Sequence, residues 1–169
     1  LHSSSCSSDN KHVQRFRETA LAPHQFEAIL EYAAIAGFKT CATPFDERSV
    51  DLCNELKVDV LKIASCSMTD WLLLQQIVNK FEGNDVVFST GGHQISEIDQ
   101  VARYLSKRFE SVTMMHCLAV YPAQRSLLNI RLIDRFNKRY PKLKIGYSGH
   151  ESSCEMMVGP LALACGAVA

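Results

Sequence analysis

Hydrophobic residues recur along the chain in short unbroken runs, and each run follows a segment with helical spacing of its apolar positions. The apolar runs cover residues 38–42, 58–64, 85–89, 111–116 and 143–147. The segments in which apolar residues recur every three or four positions cover 23–37, 46–56, 70–81, 95–109 and 127–140. A run of strand length after each helical segment predicts repeating strand–helix units, with a last helix after residue 150.

The apolar runs do not alternate with polar residues, which predicts strands buried on both faces. Strands of that kind form a parallel sheet covered by helices. Five such βα units fit either a doubly wound sheet or part of a (β/α)8 barrel. No GxGxxG or Walker-type glycine loop follows any predicted strand, which weakens the doubly wound, nucleotide-binding alternative. The polar, serine-rich residues 1–10 are expected to be a mobile segment, and residues 11–169 the barrel domain.

Composition narrows the class of partner. The 169 residues carry 18 basic and 18 acidic side chains, so no net charge favours nucleic acid or a membrane surface as a partner. The 7 cysteines are odd in number and lack CxxC pairs or zinc-ligand spacing. We therefore expect a cytoplasmic protein with reduced, buried thiols.

Polar side chains follow the predicted strands, where the carboxyl ends of parallel strands meet at one mouth. The candidate site residues are Thr43, Lys62, Ser65, Ser89, Tyr121, Ser148 and His150. Hydroxyls with a lysine suit a phosphate ester, and a histidine adds a metal ligand or an acid/base group. Taken singly, a serine or threonine at a strand end is more often a helix N-cap.

Other candidates are weaker on the sequence. No pair of carboxylates follows the strands, so glycoside hydrolysis is not supported. Cys66 or Cys117 could act as a nucleophile, but neither has an evident activating partner. His116 lies on a predicted strand and is expected to be a packed, hydrogen-bonded core residue. His93 follows a glycine pair and is expected to be a loop residue.

In their order and spacing, the strand-end strings resemble the sialic acid synthase (N-acetylneuraminate synthase) family from about residue 11 to residue 169. The matching strings are Thr43-Pro44-Phe45-Asp46-Glu47, Lys62-Ile63-Ala64-Ser65, Ser89-Thr90-Gly91, His116-Cys117 with Tyr121-Pro122, Asn129-Ile130-Arg131 and Ile145-Gly146-Tyr147-Ser148-Gly149-His150-Glu151. The resemblance implies a (β/α)8 TIM barrel of which this chain holds the third to seventh strands.

The resemblance also implies the reaction and its residues. Enzymes of this family condense phosphoenolpyruvate with an N-acetylated amino sugar, such as N-acetylmannosamine or its 6-phosphate, with manganese or magnesium activating the sugar aldehyde. By that likeness, Lys62 and His150 are catalytic, and His150 is one of two metal ligands. Tyr121 lines the sugar side. The phosphoenolpyruvate pocket would hold Thr43, Lys62, Ser65, Ser89 and Ser148. The full-length protein is expected to be a homo-oligomer, and this chain alone inactive.

The sequence departs from the family pattern at the sugar end. Cys66 and Ser67 stand where the family has glycine and then an acidic residue, and Ala119 replaces a polar residue. The family's second metal ligand would come after Ala169. Two alternatives therefore stay open: a catalytically impaired relative that binds a phosphorylated or sugar ligand without turnover, and an enzyme with another acceptor that yields a related ulosonic acid.

Overall fold

The computed structural model describes residues 11–152 and 156–169, so the predicted mobile segment 1–10 lies outside the described residues. The chain divides into two units, Leu1–Phe38 and Lys39–Ala169. The first unit contains helices α1 (Lys11–Glu18) and α2 (Pro23–Ile35). Helix α2 begins at a proline, whose missing N–H is not needed at the first helical position.

The second unit alternates strands with helices, as the hydrophobic pattern predicts. Its strands are β1 (Cys41–Ala42), β2 (Val60–Ile63), β3 (Asp85–Ser89), β4 (Ser111–Cys117) and β5 (Lys144–Ser148). Its helices are α3 (Glu47–Glu55), α4 (Trp71–Lys80), α5 (Ile95–Leu105), α6 (Leu132–Arg139) and α7 (Val158–Ala164). Two 3-10 turns, Ser65–Ser67 and Arg125–Leu127, follow β2 and β4.

Among the predicted boundaries that are wrong, two have a clear local cause. The first strand was expected over residues 38–42, but β1 contains only two of them because the Thr40 N–H donates to the Asp59 carboxylate at 2.7 Å. The helix expected from residue 127 begins at Leu132 because Asn129 has a φ of 47°, which no helix contains.

The five strands form one parallel sheet in the order β1-β2-β3-β4-β5. Each strand therefore lies beside its neighbour in sequence, and every crossover advances in the same direction. A doubly wound sheet reverses its strand order at a switch point, whereas a (β/α)8 barrel does not. The chain is an α/β protein that forms part of such a barrel.

One face of the sheet carries a row of fully buried side chains. Register pairs Ile63 with Phe88, Phe88 with Met114, and Met114 with Ile145, and all four side chains have no exposed surface. Their shared face is where the apolar sides of the helices pack, among them Leu74 and Ile77 of α4 or Val101 and Leu105 of α5. Side chains on the other face are left to line the interior of the barrel.

Two further expectations can be compared with the described residues. All five cysteines in this part of the chain are free, but Cys41 and Cys66 are exposed, so the expectation of buried thiols is wrong for those two. Cys41 lies on the short first strand, and Cys66 lies in the turn after β2. None of the described helices is long and apolar enough to cross a membrane.

Candidate active site

Three of the predicted site residues share the face of the sheet opposite the helix-packed row. Lys62 of β2 is in register with Val87 of β3, and Ser89 lies two residues further along that strand. Ser148 pairs with Cys117, which lies two residues beyond Met115, the register partner of Ser89. Because side chains alternate between faces along each strand, Lys62, Ser89 and Ser148 line the barrel interior at its carboxyl end.

The other two residues assigned to the same pocket lie just beyond their strands. Thr43 follows β1, and its alternation from Cys41, the partner of Val60, puts it on the same face as Lys62. Ser65 opens the 3-10 turn after β2. The topology thus brings all five predicted pocket residues to one end of the sheet.

Ser89 carries the clearest polar signal of this site. Its side chain is buried at 3% relative exposure, and its Oγ has no hydrogen-bond partner among the described residues. A buried hydroxyl without a partner destabilises the folded chain, so native structures seldom keep one. An acceptor oxygen from a bound ligand would satisfy it.

Lys62 supplies the positive charge beside these hydroxyls. Its half-buried side chain forms no hydrogen bond or ion pair within the part of the chain that the structure describes. The ammonium lies close enough to Cys41 to act on the pKa of that thiol, which burial raises and the lysine charge partly lowers again. Lys62 is therefore available to an anionic ligand.

Tyr121 and His150 form a tight pair at the ends of β4 and β5. The rings stack with centroids 3.9 Å apart, and the Tyr121 Oη lies 2.7 Å from Nε2 of His150. Nδ1 of His150 lies 2.6 Å from the carbonyl oxygen of Leu118. A carbonyl accepts only, so Nδ1 carries the proton and the lone pair of Nε2 accepts from the tyrosine hydroxyl.

A metal centre is only partly supported by these residues. Nε2 of His150 has the lone pair that a metal ligand needs, yet the described ranges 11–152 and 156–169 contain no cluster of three or more His, Cys, Asp or Glu side chains that could hold a cation. One imidazole does not make a metal site. Within the described ranges, His150 therefore offers a divalent cation one of the several ligands that it needs.

The remaining candidates have structural roles. His116 is buried, its Nε2 lies 2.7 Å from the Leu128 carbonyl oxygen, and burial lowers its pKa, which confirms the expected core histidine. Cys117 is buried, and its Sγ accepts the N–H of Gly91 at 3.2 Å. The Sγ of Cys66 lies 3.9 Å from the Ser67 hydroxyl. Neither thiol contacts a base in the described chain, so a cysteine nucleophile is not supported.

His93 was expected to be a loop residue, and it has a more specific position than that. It lies in the loop after β3, with Nε2 2.7 Å from the carbonyl oxygen of Ser65. Two sequence signals accompany it: a glycine pair just before it, and Glu97 four residues later on the first turn of α5. Neither signal predicts that the partner of the His93 ring is the Ser65 carbonyl.

An open cleft of about 530 Å³ lies away from this site. It is lined by Asp99 and Arg103 of α5 and by residues after α6, including Tyr140 and Lys142. Asp99 accepts hydrogen bonds from Arg139 at 3.0 Å and from Tyr140 at 2.7 Å, and both lower its pKa. This cleft contains none of the predicted site residues, and its ion pair links α5 to the end of α6.

A parallel sheet wound in one direction, with polar side chains gathered at its carboxyl end, defines this chain as a segment of a (β/α)8-barrel domain. Residues 2–169 match the NeuB family, and the chain belongs to that family.

Two curated relatives are similar over most of the chain. Human N-acetylneuraminate-9-phosphate synthase is 28% identical over 87% of this chain and 40% of its own length. The N,N'-diacetyllegionaminic acid synthase of Campylobacter jejuni is 28% identical over 92% of this chain and 46% of its own length. The chain thus spans less than half the length of these relatives.

Solved structures give the same assignment. A putative spore coat polysaccharide biosynthesis protein E from Chromobacterium violaceum superposes with a TM-score of 0.90 at 40% identity, over 99% of this chain and 49% of that one. The N-acetylneuraminic acid synthetase of Leptospira borgpetersenii, solved in complex with citrate, superposes with a TM-score of 0.85 at 26% identity, over 97% of this chain and 56% of that one.

Proposed function

We propose that this chain forms the phosphoenolpyruvate side of an active site that joins phosphoenolpyruvate to an N-acetylated amino sugar. The acceptor is N-acetylmannosamine or its 6-phosphate, and the products are a sialic acid or related ulosonic acid and phosphate. The observation that carries the proposal is the buried hydroxyl of Ser89, which has no partner among the described residues, on the same sheet face as the ammonium of Lys62. The names of the two synthase relatives support it.

Each pocket residue has a chemical role in this reaction. The Lys62 ammonium binds an anionic group of phosphoenolpyruvate and offsets the charge of the departing phosphate. The hydroxyls of Ser89 and Ser148 donate to its oxygens, and Thr43 and Ser65 complete the pocket. Carbon 3 of phosphoenolpyruvate then forms the new bond to the aldehyde carbon as its C=O opens to an alkoxide. Water adds at carbon 2 and the proton it loses neutralises that alkoxide. Phosphate leaves as the bond from carbon 2 to its bridging oxygen breaks, and carbon 2 becomes the ketone. Citrate in the Leptospira structure shows that this relative binds a polycarboxylate anion.

Of a metal site, the proposal includes one ligand from this chain, His150. Manganese or magnesium would act as a Lewis acid on the sugar aldehyde when bound. Nε2 of His150 would supply one ligand once the Tyr121 hydroxyl gives it up. Tyr121 itself, exposed at the mouth, would then face the sugar.

The test is phosphate release, measured with the longest translated product that contains this chain. We expect phosphate to appear when phosphoenolpyruvate, an acylamino sugar and Mn²⁺ are all present, and not when any of them is left out. Lys62→Ala should abolish the release. No release across a panel of N-acetylated amino sugars and their 6-phosphates would contradict the proposal.

A catalytically impaired relative is the second candidate, because the polar groups expected at the sugar end are absent. Ser67 is 8% exposed, and its hydroxyl contacts the Cys66 thiol instead of a substrate-facing partner. Ala119 lies so near Gly91 that a Cβ added to that glycine would come within 3.2 Å of the alanine Cβ. Calorimetry that shows phosphoenolpyruvate or sugar binding without any turnover would favour this candidate over the enzyme.

An enzyme with another acceptor is favoured by a different observation. The Campylobacter relative is named for a diacetylated product, so acceptor identity varies among similar chains.

We further propose a cytoplasmic, homo-oligomeric full-length protein without a nucleic-acid or membrane partner. The five free thiols of the described chain support a reducing compartment, and the zero net charge supports the absence of those partners.

A further inference from the structure

The loops that follow β2 and β3 are joined by one histidine. Nε2 of His93 lies 2.7 Å from the carbonyl oxygen of Ser65. Since a carbonyl oxygen accepts only, this nitrogen must carry the proton. The same oxygen accepts the N–H of Met68 at 3.2 Å, so it is the point where the 3-10 turn closes and where the neighbouring loop attaches.

The other side of the imidazole faces a carboxylate, which pairs with Nδ1 only when the ring is doubly protonated. Nδ1 of His93 lies 3.5 Å from a carboxylate oxygen of Glu97, and that same oxygen accepts the N–H of Gln94 at 2.8 Å. This second contact is the capping box of α5, which holds the glutamate at the start of the helix. The His93 side chain is 15% exposed and lies between a fixed carboxylate and the Ser65 carbonyl.

A tight turn delivers His93 to this position. The N–H of His93 donates to the Thr90 carbonyl at 3.2 Å, which closes a four-residue turn over Gly91 and Gly92. Gly92 has a φ of +81°, the value required at the third position of a type II turn. The glycine pair that follows β3 is therefore the local reason that the next side chain points back toward the end of β2.

We propose that His93 is a positioning residue for phosphoenolpyruvate, because it fixes the Ser65 carbonyl and with it the hydroxyl of Ser65. The inference rests on the proposed function, since it concerns the same pocket. His93 acts through Ser65. Without His93, the turn after β2 would be held by the hydrogen bonds within the turn itself. The proposal makes the geometry of the Lys62–Ser65 end of β2 depend on a residue of the next loop.

Two substitutions of His93 distinguish the contribution of Nε2 from that of the rest of the ring. His93→Gln places an amide N–H where Nε2 stood, so it should still reach the Ser65 carbonyl. His93→Asn places its amide group where Nδ1 stood, and this side chain is too short to reach the Ser65 carbonyl. Titration calorimetry of the longest translated product that contains this chain measures the dissociation constant for phosphoenolpyruvate. We expect Asn to weaken binding by about three- to tenfold, as for one lost hydrogen bond, and Gln to stay near wild type.

Controls distinguish positioning from general stability. His24→Asn, at an exposed histidine of α2, should leave the dissociation constant unchanged. The melting temperature of each variant is measured alongside, and a purely structural role would lower it without changing the dissociation constant of the folded fraction. Hydrogen exchange at the Ser67 and Met68 amides should quicken in His93→Asn and not in His93→Gln.

The outcomes also separate this inference from the function on which it rests. If His93→Asn binds phosphoenolpyruvate as tightly as the wild type does, or if His93→Gln binds it more weakly, the positioning role is wrong and the proposed function stays intact. A wild-type chain that does not bind phosphoenolpyruvate overturns the proposed function and the positioning role together. Should His93→Asn fail to fold, the comparison passes to His93→Ser, which removes both ring nitrogens with a small polar side chain.

Discussion

The phenolic oxygen of Tyr121 lies 2.7 Å from Nε2 of His150, so a hydroxyl occupies the nitrogen that the family resemblance assigns to a metal. The other nitrogen is fixed by the Leu118 carbonyl at 2.6 Å. The imidazole is thus held in one tautomer, with its lone pair toward Tyr121. Any cation that binds His150 must first displace that hydroxyl.

Tyr121→Phe should therefore strengthen Mn²⁺ binding at His150. The variant removes the competing O–H donor and keeps the stacked ring, so affinity should rise by about two- to tenfold, as expected from one hydrogen bond. Paramagnetic broadening of the His150 imidazole signals against Mn²⁺ concentration measures it. Tyr32→Phe, at an exposed tyrosine of α2, is the matched control. Equal broadening in wild type and Tyr121→Phe would show that the hydroxyl does not compete.

Ser89→Ala should separate stability from ligand binding. The variant removes a buried hydroxyl that has no partner among the described residues, so the free energy of unfolding should stay the same or rise by about 1 kcal/mol. Phosphoenolpyruvate binding should weaken by about three- to tenfold, because one donor is lost from the pocket. Thermal unfolding and titration calorimetry measure the two effects.

The control for this variant is Ser106→Ala, at an exposed serine that ends α5, which should leave binding unchanged. If Ser89→Ala lost stability by more than about 1 kcal/mol, its hydroxyl would have a partner in the folded protein, and the argument from an unpaired donor would be wrong.

The fold was largely readable from the sequence because its signal is local. Unbroken apolar runs between helical segments placed β3 at Asp85–Ser89 to the residue. Strand-end polar residues then had to converge, since parallel strands share a carboxyl end. What failed was also local in origin: Asn129 in the left-handed region delayed α6, and the Thr40–Asp59 contact shortened β1.

The side-chain contacts within the site could not be predicted in the same way. His93 and Ser65 lie 28 positions apart on two different loops, and their contact depends on the φ of Gly92 and on strand register. Sequence spacing carries no information about such a pair. The same holds for Ser67, whose position in the sequence suggests the sugar end but whose side chain is buried.

Substitutions on the two faces of β3 should differ in their effect on stability. Phe88 has no exposed surface and packs on the helix side, so Phe88→Ala should lower the free energy of unfolding by about 3–5 kcal/mol through the cavity it leaves. Val87 is adjacent in sequence but half-buried on the interior face, so Val87→Ala should cost clearly less. Chemical denaturation followed by Trp71 fluorescence compares them. Equal losses would contradict the assignment of faces.

His116 should make the folded chain less stable in mild acid. Its ring is buried near Phe136 and Tyr147, and burial holds its pKa below the ordinary 6.5. Below the ordinary value of 6.5 the unfolded chain takes up a proton that the folded chain resists, so the free energy of unfolding falls as the pH drops. Above pH 6.5 this contribution to stability is fully present. Denaturation at about pH 7.5 and about pH 5 should show the loss. His116→Gln, which keeps a donor for the Leu128 carbonyl, should reduce the pH dependence, and His24→Gln at an exposed position should not. An unchanged pH dependence in His116→Gln would assign the acid sensitivity to other groups.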